Sequence, residues 1–192
     1  MLALLTPANR LAMEISLATG LRISDVLALR SEQLAPRMRV REAKTRKMRT
    51  VRLPADLLRR ARQMSDLYPW SPWVFGHRLD PDKHRTRQAV WSDLQRAARA
   101  IRLPKGLQCS PHSARKGAAV ALYRRTGDLA RVQTMCNHDR PETTMLYALA
   151  DVLTARKAGR LHDRYRPAQQ NGASARKREK MAKKPSKTGD KP

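Results

Sequence analysis

Apolar residues return every three or four positions along most of this chain, and one stretch breaks the rhythm. Leu11, Ala12, Ile15 and Ala18 share one helical face. Thr6 predicts the cap of that helix, Pro7 its first position and Gly20 its stop. Ser24 predicts the cap of a second, short helix running through Leu29. From Met38 to Pro54 the segment MRVREAKTRKMRTVRLP alternates apolar and basic residues on either side of a polar Lys44-Thr45-Arg46 turn. A period of two belongs to strands, so a small antiparallel hairpin is expected at about 38–53, closed by Pro54.

Helical spacing resumes in Leu57, Leu58, Ala61, Met64 and Leu67. After a loop rich in Pro, Asp and Trp it returns in Val90, Trp91, Leu94, Ala97, Ala98 and Ile101. Ser110 and Pro111 open a further helix carrying Ala114, Ala118, Ala121 and Leu122; Gly127 ends it and Asp128 caps the next. Leu146, Leu149 and Leu153 extend the pattern toward Arg160. The fold class that follows is α+β, mainly helical, with one small antiparallel sheet.

Composition changes the picture at the carboxyl end. From Arg166 the sequence RPAQQNGASARKREKMAKKPSKTGDKP has Met181 as its only large apolar residue, too little to offset the entropy of ordering it. The chain is therefore expected to divide into a domain over 1–166 and a disordered basic tail over 167–192. A length of 192 residues with 41% apolar content suffices for one buried core. Across the whole chain 41 Lys and Arg face 16 Asp and Glu, a formal charge of +25. The tail holds 8 basic and 2 acidic residues, which leaves 33 against 14 in the domain, so the domain is itself strongly cationic. Such a field attracts polyanions, nucleic acid first. An anionic membrane surface could use the same charge, but no apolar run approaches the ~18 residues that span a bilayer. The opening MLALLTPANR does not read as a secretory signal either. Cys109 and Cys136 lack a CxxC partner or a second pair and read as reduced cytosolic thiols packed near the core. His138 beside Cys136 is too small a set for zinc, so neither a metal nor another cofactor is expected.

The candidate chemistry lies in an order of polar residues. Arg22 stands in ATGLRISDVLALR, Lys44 in the hairpin turn, His112 and Arg115 in PHSARKG, and His138 in CNHDRPETTMLYA, with Tyr147 nine residues after His138. Each alone is an ordinary surface or packing residue. Together their order and spacing resemble the phage integrase and Xer-type tyrosine recombinases, from about Leu11 to about Leu153. The most specific pieces are TGLRISDVLAL, the H-x-x-R pair and the His-to-Tyr interval.

The resemblance implies the tyrosine-recombinase catalytic-domain fold, with Arg22, Lys44, His112, Arg115 and His138 around a scissile phosphate and Tyr147 as nucleophile. It implies site-specific recombination of double-stranded DNA through a 3′-phosphotyrosine, in a synapse of four protomers on two duplexes, with room for an accessory DNA-bending protein. It also implies a prokaryotic or phage-encoded protein of the cytoplasm, associated with the nucleoid. Family members commonly carry a separate DNA-clamping domain ahead of this one; its place here is taken by about ten residues, which reads as a short single-domain recombinase rather than a fragment. The chain departs from family habit at Ala114, Lys116 and Gly117 around the second arginine, and at Asn137 where glycine is usual before the third-box histidine.

The residue types suit phosphoryl transfer on their own terms. Guanidinium groups match the charge that develops on non-bridging oxygens. A phenol of pKa about 10 needs a base or a cationic site to attack at neutral pH. His112 could take that proton, His138 could donate to the phosphate, and the Lys44 ammonium could protonate the leaving 5′-oxygen. Three other readings share parts of the pattern: a catalytically silent DNA-binding regulator of recombinase descent, a ribosomal or nucleoid structural protein, and a type IB topoisomerase. The structural protein leaves the His138 to Tyr147 interval unexplained, and a relaxing enzyme has no need of the integrase-like boxes.

Overall fold

The computed structural model describes residues 1–104, 107–137, 142 and 144–146. After a 3₁₀ turn at Leu2–Leu4 the elements run α1 (Pro7–Thr19), α2 (Ile23–Leu27), β1 (Arg37–Arg41), β2 (Met48–Arg52), α3 (Ala55–Asp66), α4 (Arg87–Ala100), α5 (His112–Thr126) and α6 (Leu129–Cys136). The architecture is mainly helical with one two-stranded antiparallel sheet, in register from Arg37 opposite Arg52 to Arg41 opposite Met48. The alternation read from the sequence thus gives the strands to within a residue at each end. Met38, Val40 and Val51 turn inward while Arg37, Arg39, Arg41 and Arg52 stay at the surface. The expected boundary at 166, the tail beyond it, Leu149 and Leu153 all lie outside the described residues.

Helix α1 is the centre of the core, in contact with α2, α3, α4 and α5. It buries Leu11, Ala12, Met13 and Ile15, and Gly20 ends it in the left-handed conformation at φ 68°. A side chain at Gly20 would be strained there and would also meet Met135 of α6 at 3.1 Å. Where α5 crosses α1, a Cβ on Gly117 would come within 3.1 Å of Leu17. A smaller cluster of Ala119, Val132 and Cys136, flanked by Leu122, Tyr123 and Met135, joins α5 to α6. Asp128 caps α6 as expected, accepting from the amides of Ala130 at 2.8 Å and Arg131 at 3.1 Å.

Several expectations are corrected. Ser24 lies inside α2, whose N-cap is Arg22. Thr6 occupies the N-cap of α1 but does not bond to that helix; its amide and hydroxyl donate to Asp93 on α4, at 2.8 and 2.9 Å. Ala18, Leu67, Trp91, Ile101, Ala121 and Leu146 are exposed. Leu67 and Ile101 sit just past the ends of α3 and α4, and Trp91 is one residue, about 100°, round from the buried Val90. Helical spacing alone marks a wider stripe than the core covers. No helix among the described residues is long and apolar enough to cross a membrane.

Candidate active site

Gly20 turns the chain between α1 and α2 and leaves Arg22 at the start of α2, its side chain 15% exposed. Its Nη1 donates to Glu42 Oε2 at 2.6 Å. Glu42 closes the hairpin: its amide donates to the Lys47 carbonyl at 3.0 Å and its carbonyl accepts from the Arg46 amide at 2.9 Å. Arg46 takes φ 59° to make the turn. Lys44 is exposed at the tip, and the next residue, Thr45, donates its hydroxyl to Glu42 Oε2 at 3.0 Å. A chemically versatile cation is therefore carried on a turn anchored from beneath.

The opposite wall comes from α5. His112 is its first residue, exposed, and borders a small cavity with Arg87, Gln88, Trp91, Ser110 and Pro111. Partial desolvation, then the positive charges of Arg87, Arg115, Lys116 and Arg22, hold its imidazole below the ordinary histidine range. Both effects favour the neutral imidazole. One turn further, Arg115 is 1% exposed. It donates through Nη1 to the Gly20 carbonyl at 2.9 Å and through Nη2 to the Cys136 carbonyl. Arg115 so pins the turn before Arg22 and the end of α6 to one guanidinium.

Three further residues, Arg49, Asn137 and Asp25, lie around the same centre. Arg49 of β2 is half a strand from the turn; it donates to the Thr19 carbonyl and lies 3.5 Å from Glu42 Oε1. Burial pulls its guanidinium below the usual range, with Glu42 opposing. Asn137 ends α6 at φ 46° and donates Nδ2 to Glu42 Oε2 at 3.0 Å. The asparagine that replaces the family's usual glycine therefore adopts the left-handed conformation that glycine favours. Burial would raise the Glu42 carboxyl, but the hydrogen bonds from Asn137, Arg22 and Thr45 outweigh it and hold it below the usual range. Asp25 is buried; its Oδ1 accepts from the Ala43 amide at 3.0 Å while Oδ2 has no hydrogen-bond partner. Burial, reinforced by the charge of Glu42, pushes its carboxyl up against the opposing pull of the Ala43 amide, Arg22 and Arg115.

Of the residues singled out from the sequence, Arg22, His112 and Arg115 are brought together, and Lys44 is tied to them through Thr45 and Glu42. His138 and Tyr147 lie outside the described residues. Glu42, Arg49 and Asp25 were not singled out, and Asn137 was noted only as a departure from family habit. One signal was available: Glu42 is the lone acid among eight basic residues between Arg37 and Arg52. Cys136 is buried and Cys109 half-buried, both free thiols. Among the described residues no group of three or more His, Cys, Asp or Glu is arranged to hold a metal ion.

The phage integrase family model matches residues 4–152. Tyrosine recombinase XerD of Lacticaseibacillus casei is 31% identical over 152 residues, covering 72% of this chain and 49% of that protein. The Bacillus subtilis (strain 168) protein described as "Probable integrase/recombinase YoeC" is 28% identical over 142 residues, covering 73% of this chain and 76% of that one. The chain thus spans about half the length of XerD. Among solved structures, XerH site-specific recombinase bound to palindromic difH substrate in a post-cleavage complex superposes with a TM-score of 0.61 at 23% identity, over 79% of this chain and 44% of that one. A lambda integrase(75-356) dimer bound to a COC' core site gives 0.59 at 20% identity, over 73% and 52%. At these identities the structural matches speak to the fold alone. With the family model spanning most of its length, the chain belongs to the phage integrase family of tyrosine recombinases, and its described fold is that of their catalytic domain.

Proposed function

We propose that the protein is a site-specific DNA recombinase that cuts and rejoins strands of duplex DNA through a 3′-phosphotyrosine intermediate. The observation that carries this reading is the convergence of Arg22, His112 and Arg115, from distant parts of the chain, on one cationic centre beside the Lys44 turn. Such a centre suits a phosphodiester in its transition state, where negative charge grows on the non-bridging oxygens. Tyr147 attacks the phosphorus, its phenolic proton passing to His112; His138 donates a hydrogen bond to the phosphate; Lys44 delivers a proton to the departing 5′-oxygen. The phosphotyrosine keeps the energy of the broken bond, so a second 5′-hydroxyl can displace the tyrosine without a nucleotide or a metal ion. XerH and lambda integrase were solved bound to their DNA sites, which supports duplex DNA as partner. Four protomers on two duplexes, joined by an accessory bending protein in the bacterial cytoplasm, complete the proposal.

Incubation of the full chain with nicked duplexes that trap the covalent state, followed by denaturing electrophoresis, tests the reading. A protein–DNA adduct is expected, together with strand exchange between two duplexes. Tight binding without an adduct would instead identify a silent DNA-binding regulator.

A further inference from the structure

We propose that Glu42 is a positioning residue for strand cleavage, a single buried carboxylate that ties together the segments bearing Arg22 and Lys44 and the end of α6. The proposal rests on the roles given to Arg22 and Lys44 above. Three donors from three parts of the chain meet on one oxygen, Oε2: Arg22 Nη1 at 2.6 Å, Thr45 Oγ1 at 3.0 Å and Asn137 Nδ2 at 3.0 Å. The other oxygen faces Arg49 at 3.5 Å without hydrogen-bond geometry. Glu42 is fully buried, so these are not surface pairs that solvent makes dispensable.

Each donor is, or adjoins, a residue of the proposed chemistry. Arg22 grips the phosphate directly, and a guanidinium presents its donors in a rigid fork. Holding Nη1 therefore dictates where the remaining edge points. Thr45 follows Lys44, so its hydroxyl anchors the turn from which the ammonium must reach the leaving oxygen. Asn137 precedes His138 and fixes the end of α6 to the same atom. A carboxylate would repel a phosphate, so Glu42 acts through the groups it holds.

The test compares the parent with Glu42→Gln and Thr45→Val as full chains. Single-turnover cleavage is measured on ordinary duplex DNA and on a duplex with sulfur at the 5′-bridging position of the cut site, with DNA affinity and melting temperature read on the same preparations. Glu42→Gln keeps the shape and one acceptor oxygen but loses the charge. It is expected to slow cleavage at least ~10-fold on both substrates, the scale of a misplaced reacting group, with affinity unchanged. Thr45→Val removes one donor from the turn; it is expected to slow ordinary cleavage and to be restored by the sulfur substrate, whose thiolate leaves without an acid. A purely structural residue would lower melting temperature and both rates together. Parent-like rates in Glu42→Gln, or losses that track melting temperature, would overturn the proposal, as would a Thr45→Val defect equal on the two substrates. Lys44→Ala is the control for the underlying reading: if sulfur does not relieve its defect, the acid role of Lys44 falls, and the Glu42→Gln measurement still decides the proposal on Glu42.

Discussion

Arg115 has an architectural role that stands beside its proposed chemistry. Its two carbonyl partners, Gly20 and Cys136, belong to segments that no local pattern connects, and its near-complete burial makes the guanidinium a structural pin, to which the proposed function adds the role of phosphate ligand. Arg115→Ala leaves two buried carbonyls without their charged donor, and should cost on the order of 3 kcal/mol of stability. It should also slow cleavage at least ~100-fold, the scale of losing a donor aimed at transition-state charge. Arg115→Lys keeps the charge without the fork and should recover only part of both, measured by thermal melting and single-turnover cleavage. Parent-like cleavage in Arg115→Ala would remove the residue from the site. The sequence drew attention to Arg22, Lys44, His112 and Arg115 because their spacing resembles a known pattern. It left Glu42 and Asn137 unread because a buried charge is defined by partners far away in the chain, and Asn137 looked like a departure until its φ and its bond to Glu42 were seen.

At the scale of elements, the hairpin and the capped helices were readable from local physics: alternation for β1 and β2, Gly20 and Gly127 for the ends of α1 and α5, Asp128 for the start of α6. Thr6 was read as a local cap because nothing in the sequence ties it to α4. In the fold, Asp93 Oδ2 gathers the Thr6 amide at 2.8 Å, the Thr6 hydroxyl at 2.9 Å and Asn9 Nδ2 at 2.8 Å, while Arg96 Nε holds Oδ1 at 3.0 Å. Burial opposes ionisation there, but the bonds from Asn9, Thr6 and Arg96 win and pull its pKa from 3.8 down to about 2. A carboxyl depressed in the folded state stabilises the fold above its unfolded pKa and loses that contribution as pH falls through the folded one. The clamp should therefore be fully present above about pH 5 and vanish toward pH 2. Asp93→Asn should lower stability by about 1–2 kcal/mol at pH 7 and should lose less than the parent on acidification. Denaturant unfolding at pH 7 and pH 3 checks this; an equal acid response in both proteins would contradict the clamp.

At the scale of the molecule, the proposed function gives the charge of +25 the task of drawing the protein to DNA. Residues 167–192 hold 8 basic and 2 acidic residues, so their deletion should weaken non-specific binding and flatten its salt dependence while cleavage of a pre-bound substrate persists. An unchanged salt slope would show that this segment does not touch DNA. The central claim, covalent strand transfer by one tyrosine, can be tested without knowing the natural target site. The chain has four tyrosines: Tyr68, Tyr123, Tyr147 and Tyr165. Tyr68 stands edge-on to Trp70 at 5.9 Å and Tyr123 packs beside the Ala119, Val132 and Cys136 cluster, which gives both a structural occupation. Tyr147→Phe removes a single hydroxyl, so the variant should bind DNA as the parent does. The decisive measurement is denaturing electrophoresis of parent and Tyr147→Phe after incubation with a nicked trapping duplex. The expected result is a covalent adduct with the parent and none with the variant at equal DNA occupancy; an adduct that persists in Tyr147→Phe would contradict the account.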